Sequence, residues 1–122
     1  MAKRFSKKKR IEVFSKLDGF CAYCGCEIYY ETFHIDHISP KNRHLDPSKR
    51  GSDSIDNLFP SCKSCNSSKS NFSIEAWRNE LELKFDRLIR DSSQFRILHR
   101  FGVIKKCGNV IFHFEKHGYG RK

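Results

Sequence analysis

No apolar run in this 122-residue chain approaches the ~18 residues that a membrane-spanning helix needs, and no hydrophobic stretch follows the basic N-terminus as it would in a secretory signal. A soluble protein of the cytoplasm is expected. Internal repeats and low-complexity tracts are also missing, so the length fits a single core. Acidic residues are scarce and unevenly placed. Residues 1–10 hold six basic groups and no acid, residues 41–50 four against one, and residues 92–122 seven against one. Lys plus Arg outnumber Asp plus Glu by 24 to 14, giving +10. Clusters of this kind concentrate polyanions, of which nucleic acid is the commonest, and a solubilising surface is the other use of such charge. Six cysteines in a chain without a secretory signal point to reducing surroundings, where paired Cys hold metal more often than they form disulfides.

The pattern along the chain predicts an α+β protein. Ile11, Phe14 and Leu17 have helical spacing within residues 6–17, ended by the turn pair Asp18-Gly19. Residues 27–38, EIYYETFHIDHI, are β-branched and aromatic and predict a strand, followed by a loop to about Asp53 and a second short strand over 57–62. After Ser73, a suitable N-cap, Ile74, Trp77, Leu81, Phe85, Leu88 and Ile89 form one helical stripe, with Leu83 opposite it. Phe95, Leu98 and Phe101 suggest a further helix up to Gly102. The alternation of Val110, Phe112 and Phe114 around a Cys-Gly-Asn turn predicts a C-terminal β-hairpin. The expected organisation is a core of residues 1–72 with a basic arm, and an extension of residues 73–122 packed on it as one domain.

CAYCG (21–25) and CKSCN (62–66) are two C-x2-C pairs separated by 37 residues. Each pair presents two thiolates from one turn, and two facing turns supply the closed tetrahedral set that a structural Zn²⁺ takes. Cys21, Cys24, Cys62 and Cys65 are therefore the expected zinc ligands. Cys26 lies close enough to Cys24 to substitute for it, or is a free thiol like Cys107.

Between the pairs lie His34, Asp36, His37, His44, Asp53, Asp56 and Asn57, and Asn66 directly follows Cys65. Read together, C21-AY-C24-G, I35-D36-H37-I38-x-P40, D56-N57-L58 and C62-KS-C65-N66-xx-K69 resemble the HNH endonucleases, the ββα-metal nucleases, in the subtype with a four-Cys zinc and Asn at the third signature position. The resemblance covers residues 21–69. It implies a β-hairpin and helix around one divalent cation, and hydrolysis of phosphodiesters in DNA, duplex DNA above all. By position, Asp36 and Asn66 would hold the cation, His37 would be the general base, and Asn57 would hold the loop and base in place.

The residue types suit that chemistry. Charge gathering on a phosphodiester under attack needs a positive centre to offset it, and a carboxylate with an amide oxygen leaves most of a cation's sphere to water and substrate, which suits Mg²⁺ or Mn²⁺. A histidine can take a proton from water near neutral pH. Yet Asp36 and His37 are neighbours, and on an ideal strand they would point to opposite faces. His34 shares the parity of Asp36 and is either an extra ligand or phosphate donor, or a solvated strand residue. The loop after Pro40 is longer than usual for the family and carries Lys41, Arg43, His44, Lys49 and Arg50, a phosphate-gripping set or a solvated basic loop. Lys69 is a further candidate phosphate contact. The alternative to a nuclease is a non-catalytic zinc-ribbon module that binds nucleic acid, with Asp36 and His37 structural. RNA cleavage by the same site is a third reading.

Overall fold

The computed structural model describes residues 5–41, 51–106 and 108–118. Arg43, His44, Lys49, Arg50 and Cys107, singled out in the sequence, lie outside the described residues. The chain divides into two compact units, one of residues up to 74 together with those from 111 onward, the other of residues 75–110.

In the first unit, helix α1 (Lys7–Ser15) starts at Ser6, whose hydroxyl accepts from the Lys9 amide at 3.2 Å. That satisfies one of the donors a helix start leaves open. The helix stops at Asp18 and Gly19, both with positive φ. Its buried side chain is Val13, joined beyond the helix by Leu17, whereas Ile11 is about half exposed. Part of its positive charge is spent internally. The Lys16 ammonium donates to the carbonyls of Ile55 and Leu58 at 2.6 and 2.7 Å, and the Arg10 guanidinium donates to the Tyr30 carbonyl while lying 4.3 Å from the Phe33 ring centre.

The predicted strand over 27–38 is reduced to β1 (His34–His37). Ahead of it the chain folds back, with the amides of Thr32 and Phe33 both bonded to the Tyr29 carbonyl, and Phe33 buried. Aromatic content over 29–33 serves packing around α1, where Phe14 meets Tyr30 and Phe33 edge to face. After a 3-10 turn (Ile55–Asn57), strand β2 (Leu58–Ser61) pairs antiparallel with β1, in the register His34 with Ser61, Ile35 with Pro60, Asp36 with Phe59 and His37 with Leu58. All four residues of β2 are buried. Helix α2 (Lys63–Lys69) follows at once, its first turn capped by the Cys62 sulfur, which accepts from the Cys65 amide at 3.4 Å.

The C-terminal hairpin is not what these residues form. Among the described residues beyond Gly102 there is no strand, and His113–Lys116 make a single helical turn, α5. Glu115 accepts from the Phe112 amide at 2.9 Å and so closes the turn on itself. The alternation that suggests a strand has another cause. Phe112 and Phe114 are buried around Tyr23 and Phe59, with Phe59 and Phe114 ring centres 4.8 Å apart. The amides of His113 and Phe114 donate to the carbonyls of Tyr23 and Ala22, so this segment packs against the first cysteine turn.

The packing leaves no room at Gly25. Its φ is +81°, and an added Cβ would lie 3.0 Å from His113 Nδ1. Gly25→Ala is expected to cost about 1–2 kcal/mol for the left-handed backbone alone, read as a lower urea midpoint with an unchanged slope.

In the second unit, α3 (Ile74–Asp91) carries most of the predicted stripe: Trp77 is buried and Leu81, Phe85 and Ile89 are half-buried, but Leu88, expected on the same buried face, is as exposed as the stray Leu83 opposite it. Helix α4 (Ser93–Arg100), capped by the Ser92 hydroxyl, brings Phe95 edge to face with Phe85 at 5.3 Å. No helix here is long and apolar enough to cross a membrane.

Candidate active site

The two cysteine turns meet because the backbone between them is paired. The Ala22 amide donates to the Pro60 carbonyl at 2.9 Å, so the first turn lies against the end of β2, and the second turn is the start of α2. One sulfur from each of Cys21, Cys24, Cys62 and Cys65 falls within 4.8 Å of the others, with Cys24 and Cys62 at 3.9 Å. A tetrahedral ion with 2.3 Å bonds would separate its sulfurs by about 3.8 Å. The four thiols thus have the spacing of a metal clamp. Hydrogen bonding from Cys65, aided by backbone amides, draws the Cys21 thiol down to about 4, whereas Cys65 is pushed up by the same contact. Cys26 lies outside the set of four. Desolvation and the neighbouring Cys24 push its thiol up to about 12, which keeps it protonated.

Asp36 is 6% exposed and its carboxylate is doubly held. Oδ2 accepts from the Tyr23 hydroxyl at 2.5 Å and pairs with the Lys69 ammonium at 3.0 Å. Burial raises the carboxyl above its ordinary range, and Tyr23 and Lys69 pull against that rise. The Tyr23 phenol is itself pushed up, first by burial and then by Asp36, so it stays a donor. Tyr23 sits between the two cysteines of the first turn, so the sulfur cluster and the carboxylate are one tyrosine ring apart.

Lys69 overturns its sequence reading as a phosphate contact. Its side chain is fully buried, and besides Asp36 it donates to the His37 carbonyl at 2.8 Å, leaving it no route to solvent or substrate. The cation serves inside the protein, where an unpartnered Asp36 would be costly. Lys69→Met keeps the length of the side chain but strands that carboxylate, and a loss of about 3–5 kcal/mol of stability is expected, measured by urea unfolding.

His37 is the last residue of β1. Its ring nitrogen Nε2 lies 2.7 Å from Asp53 Oδ1, and the other oxygen of that carboxylate pairs with Lys41 at 3.1 Å. Asn57 ties the following loop: its side chain accepts from the Ser39 amide at 2.8 Å and donates to the carbonyls of Ser39 and Ser52, while its own carbonyl accepts from the Ile38 amide. Gly51 lies so close to the Ser39 carbonyl that any Cβ would overlap it.

The strand ends at this tie, which relieves the parity conflict between Asp36 and His37. Both, with Ile35, line one cavity of about 310 Å³, together with Pro40, Lys41, Asn66, Ser70 and Asn71. Asn66 comes to the cavity from the second turn of α2, its amide bonded to the Cys62 carbonyl. The cavity brings together Asp36, His37, Asn66 and Lys41, whereas His34 begins β1 opposite Ser61, half-buried and away from the cavity lining. Sequence reasoning gave no role to Tyr23 or Asp53. The place of Tyr23 inside a cysteine turn was a usable signal, and Asp53 had none.

Residues 21–72 match the family model of the HNH endonucleases. YoqL, an SPbeta prophage-derived protein of Bacillus subtilis (strain 168) named as an HNH endonuclease, is 35% identical, over 57% of this chain and 32% of that protein. The CRISPR-associated endonuclease Cas9 of Actinomyces naeslundii is 40% identical over 47% of this chain and 5% of its own length. The crystal structure of that Type II-C Cas9 superposes with a TM-score of 0.52 at 29% identity, covering 66% of this chain and 9% of Cas9. The chain therefore spans about a third of one curated relative and a small part of the other. Through residues 21–72, with its paired cysteine turns and its Asp-His strand end, the chain is similar to the HNH endonucleases.

Proposed function

We propose that the chain is a metal-dependent endonuclease that hydrolyses phosphodiester bonds in DNA, with His37 as general base. The observation that carries this reading is the convergence of Asp36, His37 and Asn66 on one open cavity within the family-matched segment. The donor set there, a carboxylate and an amide oxygen, is hard and suits Mg²⁺ or Mn²⁺, which would offset the negative charge that builds on the phosphate and leaving oxygen. The sulfur set suits Zn²⁺ in a closed, structural role. These are different ions at different sites.

The side chains then have separable tasks. The His37 ring accepts a proton from a water whose oxygen forms the new bond to phosphorus, while the bond from phosphorus to the leaving sugar oxygen breaks and that oxygen takes a proton from solvent. Tyr23 and Lys69 hold the Asp36 carboxylate from behind, and Asn57 holds the loop that follows the base. Lys41 at the cavity edge, and Arg43, Lys49 and Arg50 in the same basic loop, would meet phosphates, which position the nucleic acid without reading its sequence.

Supercoiled plasmid with Mg²⁺, Mn²⁺ or EDTA tests the reading. Cleavage is expected with either cation and none with EDTA. A non-catalytic binding module would leave the plasmid intact under all three conditions, and offering RNA beside DNA distinguishes the substrates.

A further inference from the structure

We infer that Asp53 is a positioning residue for His37, fixing the ring so that Nε2 carries the proton and Nδ1 presents the lone pair. The inference rests on the reading of His37 as general base and adds the group that selects which nitrogen acts. A carboxylate can only accept, so the 2.7 Å contact between Asp53 Oδ1 and His37 Nε2 requires a proton on Nε2. In a neutral imidazole the other nitrogen is then the base. Nδ1 has no hydrogen-bond partner among the described residues, and the His37 side chain is about a quarter exposed.

Asp53 is held well enough to do this. The Lys9 ammonium donates to its backbone carbonyl at 2.6 Å, and Lys41 takes Oδ2 at 3.1 Å. One residue earlier, the Ser52 carbonyl accepts from the Asn57 side chain, and the Gly51 amide donates to the Pro40 carbonyl. Segment 51–53 is thereby fastened to Pro40 and to Asn57, which itself bonds the residues just after the strand end. On its other side, the imidazole has the Phe5 ring at 6.0 Å between centres. A ring so bracketed has one preferred orientation, and orienting a catalytic imidazole through its second nitrogen is the logic by which a buried carboxylate serves a histidine base.

Long-range nitrogen–proton NMR on the full chain loaded with Zn²⁺ but without Mg²⁺ or Mn²⁺, at a pH where the rings are neutral, reads the tautomer directly, with His37→Ala identifying the His37 signals. The native protein should show His37 protonated on Nε2, and Asp53→Ala should give a mixture. Asp53→Asn, whose amide oxygen still accepts, should keep the native tautomer. In plasmid cleavage Asp53→Ala should lower kcat about 10- to 100-fold with KM little changed, and Asp53→Asn should recover part of the rate. A native His37 protonated on Nδ1, an unaltered tautomer in Asp53→Ala, or an unaltered kcat in that variant would each overturn the inference. The native spectrum decides even if Asp53→Ala fails to fold. A wild-type chain that cuts nothing would sink the nuclease reading instead, while the spectrum would still show whether Asp53 sets the ring.

Discussion

Replacing His37 by alanine is expected to abolish plasmid cleavage, by about 10²- to 10⁴-fold, while the protein still retains DNA on a gel. The variant isolates chemistry because of what it leaves in place. The buried Lys69 ammonium bonds to the His37 carbonyl, which alanine keeps, and the pairing of β1 with β2 uses only backbone. The His37 side chain is about a quarter exposed, so its loss opens no sealed cavity. Asp36, by contrast, is tied by side chain into the interior, and any substitution there mixes catalysis with stability. Cleavage surviving in His37→Ala would remove this residue as the base. Loss of DNA retention along with cleavage would instead make it a binding residue.

How far the site could be read in advance depended on the range of each interaction. The cysteine turns were legible because both ligands of a pair lie three residues apart, so spacing alone reports the geometry. The stripe on α3 was legible for the same reason, with Trp77 buried where the period put it. Strand β1 was overextended, since Tyr30 and Phe33 have strand-forming side chains that this fold uses to pack on α1. At the C-terminus, Phe112 and Phe114 alternate because the entry to a helical turn drives both into one aromatic cluster, an arrangement set by the distant Tyr23 and Phe59. Lys69 was the least legible. Its place in the motif marks it, but only the three-dimensional path of α2 turns the ammonium inward, 3.0 Å from a carboxylate 33 positions earlier in the chain. Asp53 meets His37 across a loop whose closure depends on Asn57, and no local pattern encodes that pairing.

Cys62→Ser should unfold the first unit and release its metal, the largest stability effect expected in the chain. Serine is itself a good N-cap, so the variant preserves the bond that the Cys62 sulfur takes from the Cys65 amide at the head of α2 and removes only the thiolate. Structural zinc contributes about 10–16 kcal/mol in small zinc-dependent folds. Domains of this size have only about 5–15 kcal/mol of net stability. One ligand fewer therefore takes most or all of it. The consequence runs beyond the clamp, because Tyr23 hangs between Cys21 and Cys24 and its hydroxyl holds Asp36. Losing the sulfur cluster should thus slacken the Asp36 carboxylate before the rest of the unit melts. In a chelator titration followed by circular dichroism and a chromogenic zinc assay, cleavage should fall ahead of the helical signal. A Cys62→Ser protein that is folded, metal-free and active would show that the four sulfurs meet without holding an ion.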